Sequence, residues 1–86
     1  MNYKIIYRKS AVKELEDLPD NEIPKVKSAI DALAGTPRPD GVKKLTGIKE
    51  SLWRLRVGNY RIIYSIEDVI KVVEIRTIGD RKDIYK

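Results

Sequence analysis

The side chains able to do chemistry in this sequence are its arginines, lysines, tyrosines and carboxylates. Among its 86 residues there is no histidine and no cysteine. That removes the usual zinc sites, the histidine-activated nucleophiles, disulfide scaffolds and the commonest general base near neutral pH. What is left is cationic. Between Thr36 and Arg61 stand Arg38, Lys43, Lys44, Lys49, Arg54, Arg56 and Arg61 against only Asp40 and Glu50, so this stretch carries the whole net charge of +5 while the remainder balances. A guanidinium is a planar fork of donors that matches two oxygens of a phosphate or carboxylate. The concentration of such groups points to a polyanionic partner, either a nucleic acid or an acidic protein segment. A merely solvated basic face is the plainer alternative.

Elements must hold these groups in place. The length fits one domain spanning residues 1–86. Asn2–Tyr7 concentrates the β-formers Tyr3, Ile5, Ile6 and Tyr7 and predicts a first strand. Ser10 reads as an N-cap, with Ala11, Val12, Leu15 and Leu18 at helical spacing and Pro19 ending the helix. Asp20 or Asn21 reads as the cap of a second helix, with Pro24 in its first turn, an apolar stripe of Ile23, Val26, Ile30 and Leu33, and a stop at Gly35. Thr36 to about Glu50 is a long basic connection, and loops this long in small domains are often functional. Leu52–Val57, Tyr60–Ile66 and Val69–Ile78 predict three further strands. The order β-α-α-β-β-β describes an α+β fold, a helical hairpin packed on one face of a mostly antiparallel twisted sheet.

Gly58-Asn59 suits a two-residue hairpin turn, and that turn sets a register. Val57 faces Tyr60, Leu55 faces Ile62 and Trp53 faces Tyr64, all on the helix side, so the three aromatic residues read as core rather than as base-stacking platforms. The other side then carries Arg54, Arg56 and Arg61, an open arginine-rich face. Continuing through a turn at Glu67-Asp68 places Glu74 opposite Arg61, with Arg76 on the same face. An exposed Arg61–Glu74 ion pair, worth about 0–1 kcal/mol, is the structural alternative to a phosphate contact there. Arg56 reads equally as a brace for the cluster.

The runs KKLTG (Lys43–Gly47), LWRLRVGNYRIIY (Leu52–Tyr64) and IGDRKDIY (Ile78–Tyr85) together resemble the RelE branch of the RelE/ParE toxin superfamily, over essentially the whole chain. The resemblance implies the toxin of a type II toxin–antitoxin system, an endoribonuclease (mRNA interferase) that cleaves messenger RNA in the ribosomal A site and is inhibited by a cognate antitoxin protein. The implied chemistry uses no metal and no organic cofactor. The 2′-hydroxyl attacks the adjacent phosphate in line, leaving a 2′,3′-cyclic phosphate and a 5′-hydroxyl. Residue by residue, the resemblance assigns catalysis to Arg61, Arg81, Tyr85 and Arg54. Arg61 and Arg81 would clamp the scissile phosphate. Tyr85 would orient the 2′-hydroxyl, stack on a base or act as general base, and Arg54 would stabilise charge. Lys43, Lys44, Lys49 and Arg56 are expected to bind RNA.

The chain departs from the family pattern twice. Leu52 stands where some members carry a second basic residue. Asp80 stands where many relatives have histidine, and it reads either as an accessory base or as a partner holding Arg81 or Lys82. Two rivals are a ParE-like poison of DNA gyrase and an inactive relative that binds RNA or antitoxin without cleaving. No apolar run approaches the roughly 20 residues of a membrane span. The start, MNYKIIYRKS, is too short and too quickly charged for a signal peptide. A cytoplasmic protein that does not engage membranes is expected.

Overall fold

The structure, a computed structural model, describes residues 2–45, 47 and 49–80. β1 (Lys4–Tyr7) leads into α1 (Lys9–Glu16) and α2 (Ile23–Ala32), followed by β2 (Lys43–Lys44), β3 (Leu52–Val57), β4 (Tyr60–Glu67) and β5 (Val72–Asp80). The five strands form one sheet in the order β1-β5-β4-β3-β2. Only the β1–β5 pair is parallel; the others are antiparallel. This is the predicted α+β arrangement with one addition: the basic connection contains β2, which pairs Lys43 with Arg54 and Lys44 with Trp53.

Alternation along the strands builds the core. Ile62 and Tyr64 of β4 and Val73, Ile75 and Ile78 of β5 share one face, where they meet Ala11 of α1 and the Val26, Ile30 and Leu33 stripe. Burying each aliphatic side chain of this kind is worth roughly 1.5–3 kcal/mol, so this cluster is what fastens the helices to the sheet. The Tyr64 hydroxyl satisfies itself by donating to the Pro37 carbonyl at 2.8 Å. Burial pushes its pKa up to about 12, so it stays a donor at physiological pH.

Neither helix uses the expected cap. α1 begins behind Arg8, whose amide still donates to the Ile75 carbonyl at 3.0 Å, and Ser10 therefore falls inside the first turn. α2 begins behind Glu22, whose amide closes onto the Pro19 carbonyl at 2.8 Å and leaves Asp20 and Asn21 in the intervening turn. Pro24 sits in the first turn, where no intrahelical donor is lost. Glu14 ties α1 to the sheet by accepting a hydrogen bond from the Ile78 amide at 3.0 Å.

The β3–β4 pairs follow the register that a two-residue turn dictates, from Leu52–Ser65 to Val57–Tyr60, with Gly58 at φ 58° making the corner. The next hairpin departs from expectation. Its turn is Asp68–Lys71, with Lys71 at φ 56°, so β5 starts at Val72 rather than Val69. Val69 and Ile70 have the composition of a strand but sit at the hairpin tip, 95% and 68% exposed. A bulge at Ile63/Tyr64 then leaves Arg76 as the extra residue. Both effects slide β5 along β4, so Glu74 lies opposite Ser65, and Gly79 rather than Glu74 lies opposite Arg61.

Candidate nucleic-acid interface

Strand alternation and register bring four of the expected cations onto one face. Arg54 and Arg56 leave β3 on the side opposite the helices, and pairing places Lys43 beside Arg54 and Arg61 beside Arg56. Across β4, Arg61 meets Gly79, which adds no side chain. Like charges gathered this closely repel one another, and a phosphate backbone relieves that repulsion.

The face is not open along its whole width, which corrects the expectation. Arg61 is 1% exposed, and on the same row of β4 Ile63 is 8% and Ser65 7% exposed. The reason lies partly in position. β4 is the central strand of the five, flanked on both sides by long side chains whose stems can cover neighbouring surface. At the far end Glu50, from the connection into β3, reaches across to Arg76 and closes one side of a cleft of about 320 Å³ shared with Ser51, Ser65, Ile66 and Glu67. Arg76 also pairs with Glu74 at 3.0 Å, and Glu74 lies 3.7 Å from Arg8. Arg76 shares the outer face as expected, and there it is neutralised by carboxylates. An incoming anion meets exposed Arg56 and half-buried Arg54 first, with Arg61 beneath. A guanidinium held at low dielectric attracts an anion more strongly than one in water.

The other expected residues divide by location. Lys43 and Lys44 are exposed on β2, and Lys49 is exposed in the connection that follows. Asp80 pairs with Tyr60, which puts it on the helix-side row, away from Arg61. There it borders a cleft of about 350 Å³ with Glu14, Asp17, Tyr60 and Thr77 among its walls. Arg81 and Tyr85 lie outside the described residues. Trp53 and Tyr60 pack half-buried against the core and Tyr64 is wholly within it, as their parity predicts.

Sequence reasoning missed a cluster behind Trp53. The Arg38 guanidinium lies 5.1 Å from the centre of the indole and the Lys44 ammonium 5.9 Å. Arg38 also donates to both carboxylate oxygens of Asp68, at 3.3 and 2.9 Å. The Tyr3 hydroxyl donates to the same carboxylate at 2.7 Å. The bonds from Arg38 and then Tyr3 pull the Asp68 pKa down to about 2. Thirty residues separate Arg38 from Asp68, and no local pattern links them.

Comparison with known proteins is consistent across sequence and structure. Residues 5–85 match the family profile described as the ParE toxin of type II toxin-antitoxin system, parDE. A protein of Methanocaldococcus jannaschii, named as a toxin, RelE1, is 32% identical over 89 residues, covering 100% of this chain and 98% of its own length. The archaeal RelE-RelB complex from Pyrococcus horikoshii OT3 contains a chain 34% identical with TM-score 0.81, with coverage of 94% of this chain and 97% of that one. The toxin-antitoxin complex RelBE2 from Mycobacterium tuberculosis contains one 26% identical with TM-score 0.83, covering 94% and 100% respectively.

Proposed function

The chain belongs to the RelE/ParE superfamily of type II toxin–antitoxin toxins, on its RelE side, and from that membership we propose that it is an endoribonuclease acting on ribosome-bound messenger RNA. The observation that carries this reading is the paired rows on the outer sheet face, Lys43 beside Arg54 and Arg56 beside Arg61, ending at Gly79. From Gly79 the sequence continues through Asp80 to Arg81 and, four residues further on, Tyr85.

Cleavage forms a bond between the 2′-oxygen and phosphorus and breaks the bond from phosphorus to the 5′-oxygen. The extra negative charge of the five-coordinate phosphate is the main barrier, and preorganised cations lower it. Arg61, with Arg81, grips the phosphate oxygens once the side chains that cover it move aside, and a guanidinium offers them a bidentate fork. Arg54 and Arg56 receive the neighbouring backbone, Lys43 and Lys49 extend the contact along the strand, and Lys44, which leaves the edge strand on the Trp53 side, meets it from the sheet edge. Arginine is a poor proton donor because it hardly deprotonates, so its role is electrostatic. Asp80 stands on the opposite row from Arg61, so we assign the proton of the 2′-hydroxyl to Tyr85, and the departing 5′-oxygen takes its proton from water. The ordinary phenol pKa of about 10 requires neighbouring arginines to bring it down. A cognate antitoxin restrains the toxin, as the RelB chains in the related complexes suggest, and the reaction takes place in the cytoplasm, where ribosomes are.

The test is a reconstituted translation reaction with the wild type, Arg81→Ala and Tyr85→Phe, beside a supercoiling assay with purified gyrase. Ribosome-dependent cleavage that both substitutions abolish supports the reading. The ParE label of the matching profile favours a second reading, a gyrase poison. Inhibited supercoiling with intact message would establish that one instead.

A further inference from the structure

We propose that Asp68, in the turn of the β4–β5 hairpin, is a positioning residue for the basic strand β2, acting through Arg38 and Trp53; the proposal rests on the reading of Lys43 and Lys44 as RNA contacts. β2 has only two residues and lies at the sheet edge, so its own pairing gives it little to stand on. It is reached from α2 by a connection running from Leu33 to Val42, and something must hold that connection against its own conformational entropy.

Two tethers do so, and both come from elements remote in sequence. The Tyr64 hydroxyl fixes the Pro37 carbonyl at 2.8 Å. One residue on, Arg38 forks onto Asp68 at 2.9 and 3.3 Å while its guanidinium lies 5.1 Å from the Trp53 ring centre. Trp53 is also the register partner of Lys44, whose ammonium lies 5.9 Å from the same ring. The indole therefore lies between the tether at Arg38 and the ammonium of Lys44.

Asp68 is the knot. Its carboxylate takes both Arg38 bonds and the Tyr3 hydroxyl at 2.7 Å, and Lys71, from the same turn, covers the Tyr3 ring at 4.9 Å. An isolated exposed ion pair contributes little, but a bidentate fork shared with a third donor and stacked on an aromatic ring has geometry as well as charge. Untying it frees the connection, and Lys43 loses its fixed place beside Arg54 and Lys44 its place beside Trp53.

The sign of the effect separates positioning from plain electrostatics. Asp68 is a negative charge, so by Coulomb's law alone its removal tightens RNA binding; loss of positioning weakens it. The experiment uses the full-length protein as wild type, Asp68→Asn, Asp68→Glu and Arg38→Lys, with a fluorescein-labelled single-stranded RNA titrated across a range of salt. Trp53 is the only tryptophan, so its emission reports the Arg38 contact without any RNA present. Asp68→Asn is expected to bind about five- to tenfold more weakly, with a salt slope smaller by about 1.4, since each of the two lysine contacts to a single strand is worth about 0.7. Its Trp53 emission should shift, and Asp68→Glu should restore both readouts. Arg38→Lys keeps the charge but loses the fork, and it gives the same result if Asp68→Asn does not fold. Equal or tighter RNA binding by a folded Asp68→Asn, with unshifted emission, would overturn the proposal. A wild type that binds no RNA overturns it together with the reading of β2 on which it rests.

Discussion

Arg61 is where charge, burial and register meet. The residue is 1% exposed yet stands on the cationic row beside Arg56. Removing one preorganised donor to a developing oxyanion typically costs about 10²–10³ in rate, and Arg61→Ala is expected to slow single-turnover cleavage by that order. Arg61→Lys should recover only part, because an ammonium offers no fork. The Arg54, Arg56 and Arg61 row was legible in the sequence because a two-residue turn leaves one register and parity does the rest. The burial of Arg61 was not, since parity says which face a side chain takes but not what covers that face. The Arg38–Asp68 clasp was illegible for a different reason: its partners meet only after the whole sheet has formed. Its pH dependence can be worked out. The Asp68 pKa falls from 3.8 in the unconstrained group to about 2, so the clasp's contribution is complete above the unfolded value and is lost as pH falls through about 2. Trp53 emission should stay constant from neutral pH down to about 4 and change below it, with that early step missing in Asp68→Asn.

The two hairpins illustrate how much an element's turn decides. At Gly58, φ 58° is open to glycine and strained for a β-branched residue, so Gly58→Val is expected to destabilise by about 1–3 kcal/mol, read as a lower urea midpoint at unchanged slope. That turn was readable because Gly58-Asn59 is a strong local signal between two apolar runs. The second turn was misread because Val69 and Ile70 look like strand residues, and the bulge at Ile63/Tyr64 has no signature in either strand. The helices were found from their apolar stripes, but their starts were misplaced. Contacts to Ile75 and Pro19 set those ends, and cap-forming side chains did not. Ile75 belongs to the buried cluster joining β5 to the helices, and Ile75→Ala is expected to cost about 2–5 kcal/mol in the same urea experiment.

Across the whole molecule the net charge of +5 arises from one stretch, and the fold divides that stretch between the outer face of β3–β4 and the strand β2. Opposite it, the helix-side face carries the core, with Arg38 and Lys44 gathered around Trp53 at its edge. Among the described residues, the acids Glu50 and Glu74 at the far end of the outer face pair with Arg76. The α+β order and the mostly antiparallel sheet followed from the sequence of apolar periods. The two-residue β2 did not, since its lysines carry no strand signal and owe their pairing to Trp53 and Arg54. The central claim is that this cationic row cleaves RNA on the ribosome. The most direct test is to map new 5′ ends on a defined message in a purified translation system, comparing wild type with Arg61→Ala, each with and without ribosomes. The account predicts 5′-hydroxyl ends within codons, present only with ribosomes and reduced about a hundredfold or more by the substitution. Message that stays intact with the wild type, or ends that persist undiminished in Arg61→Ala, would contradict it.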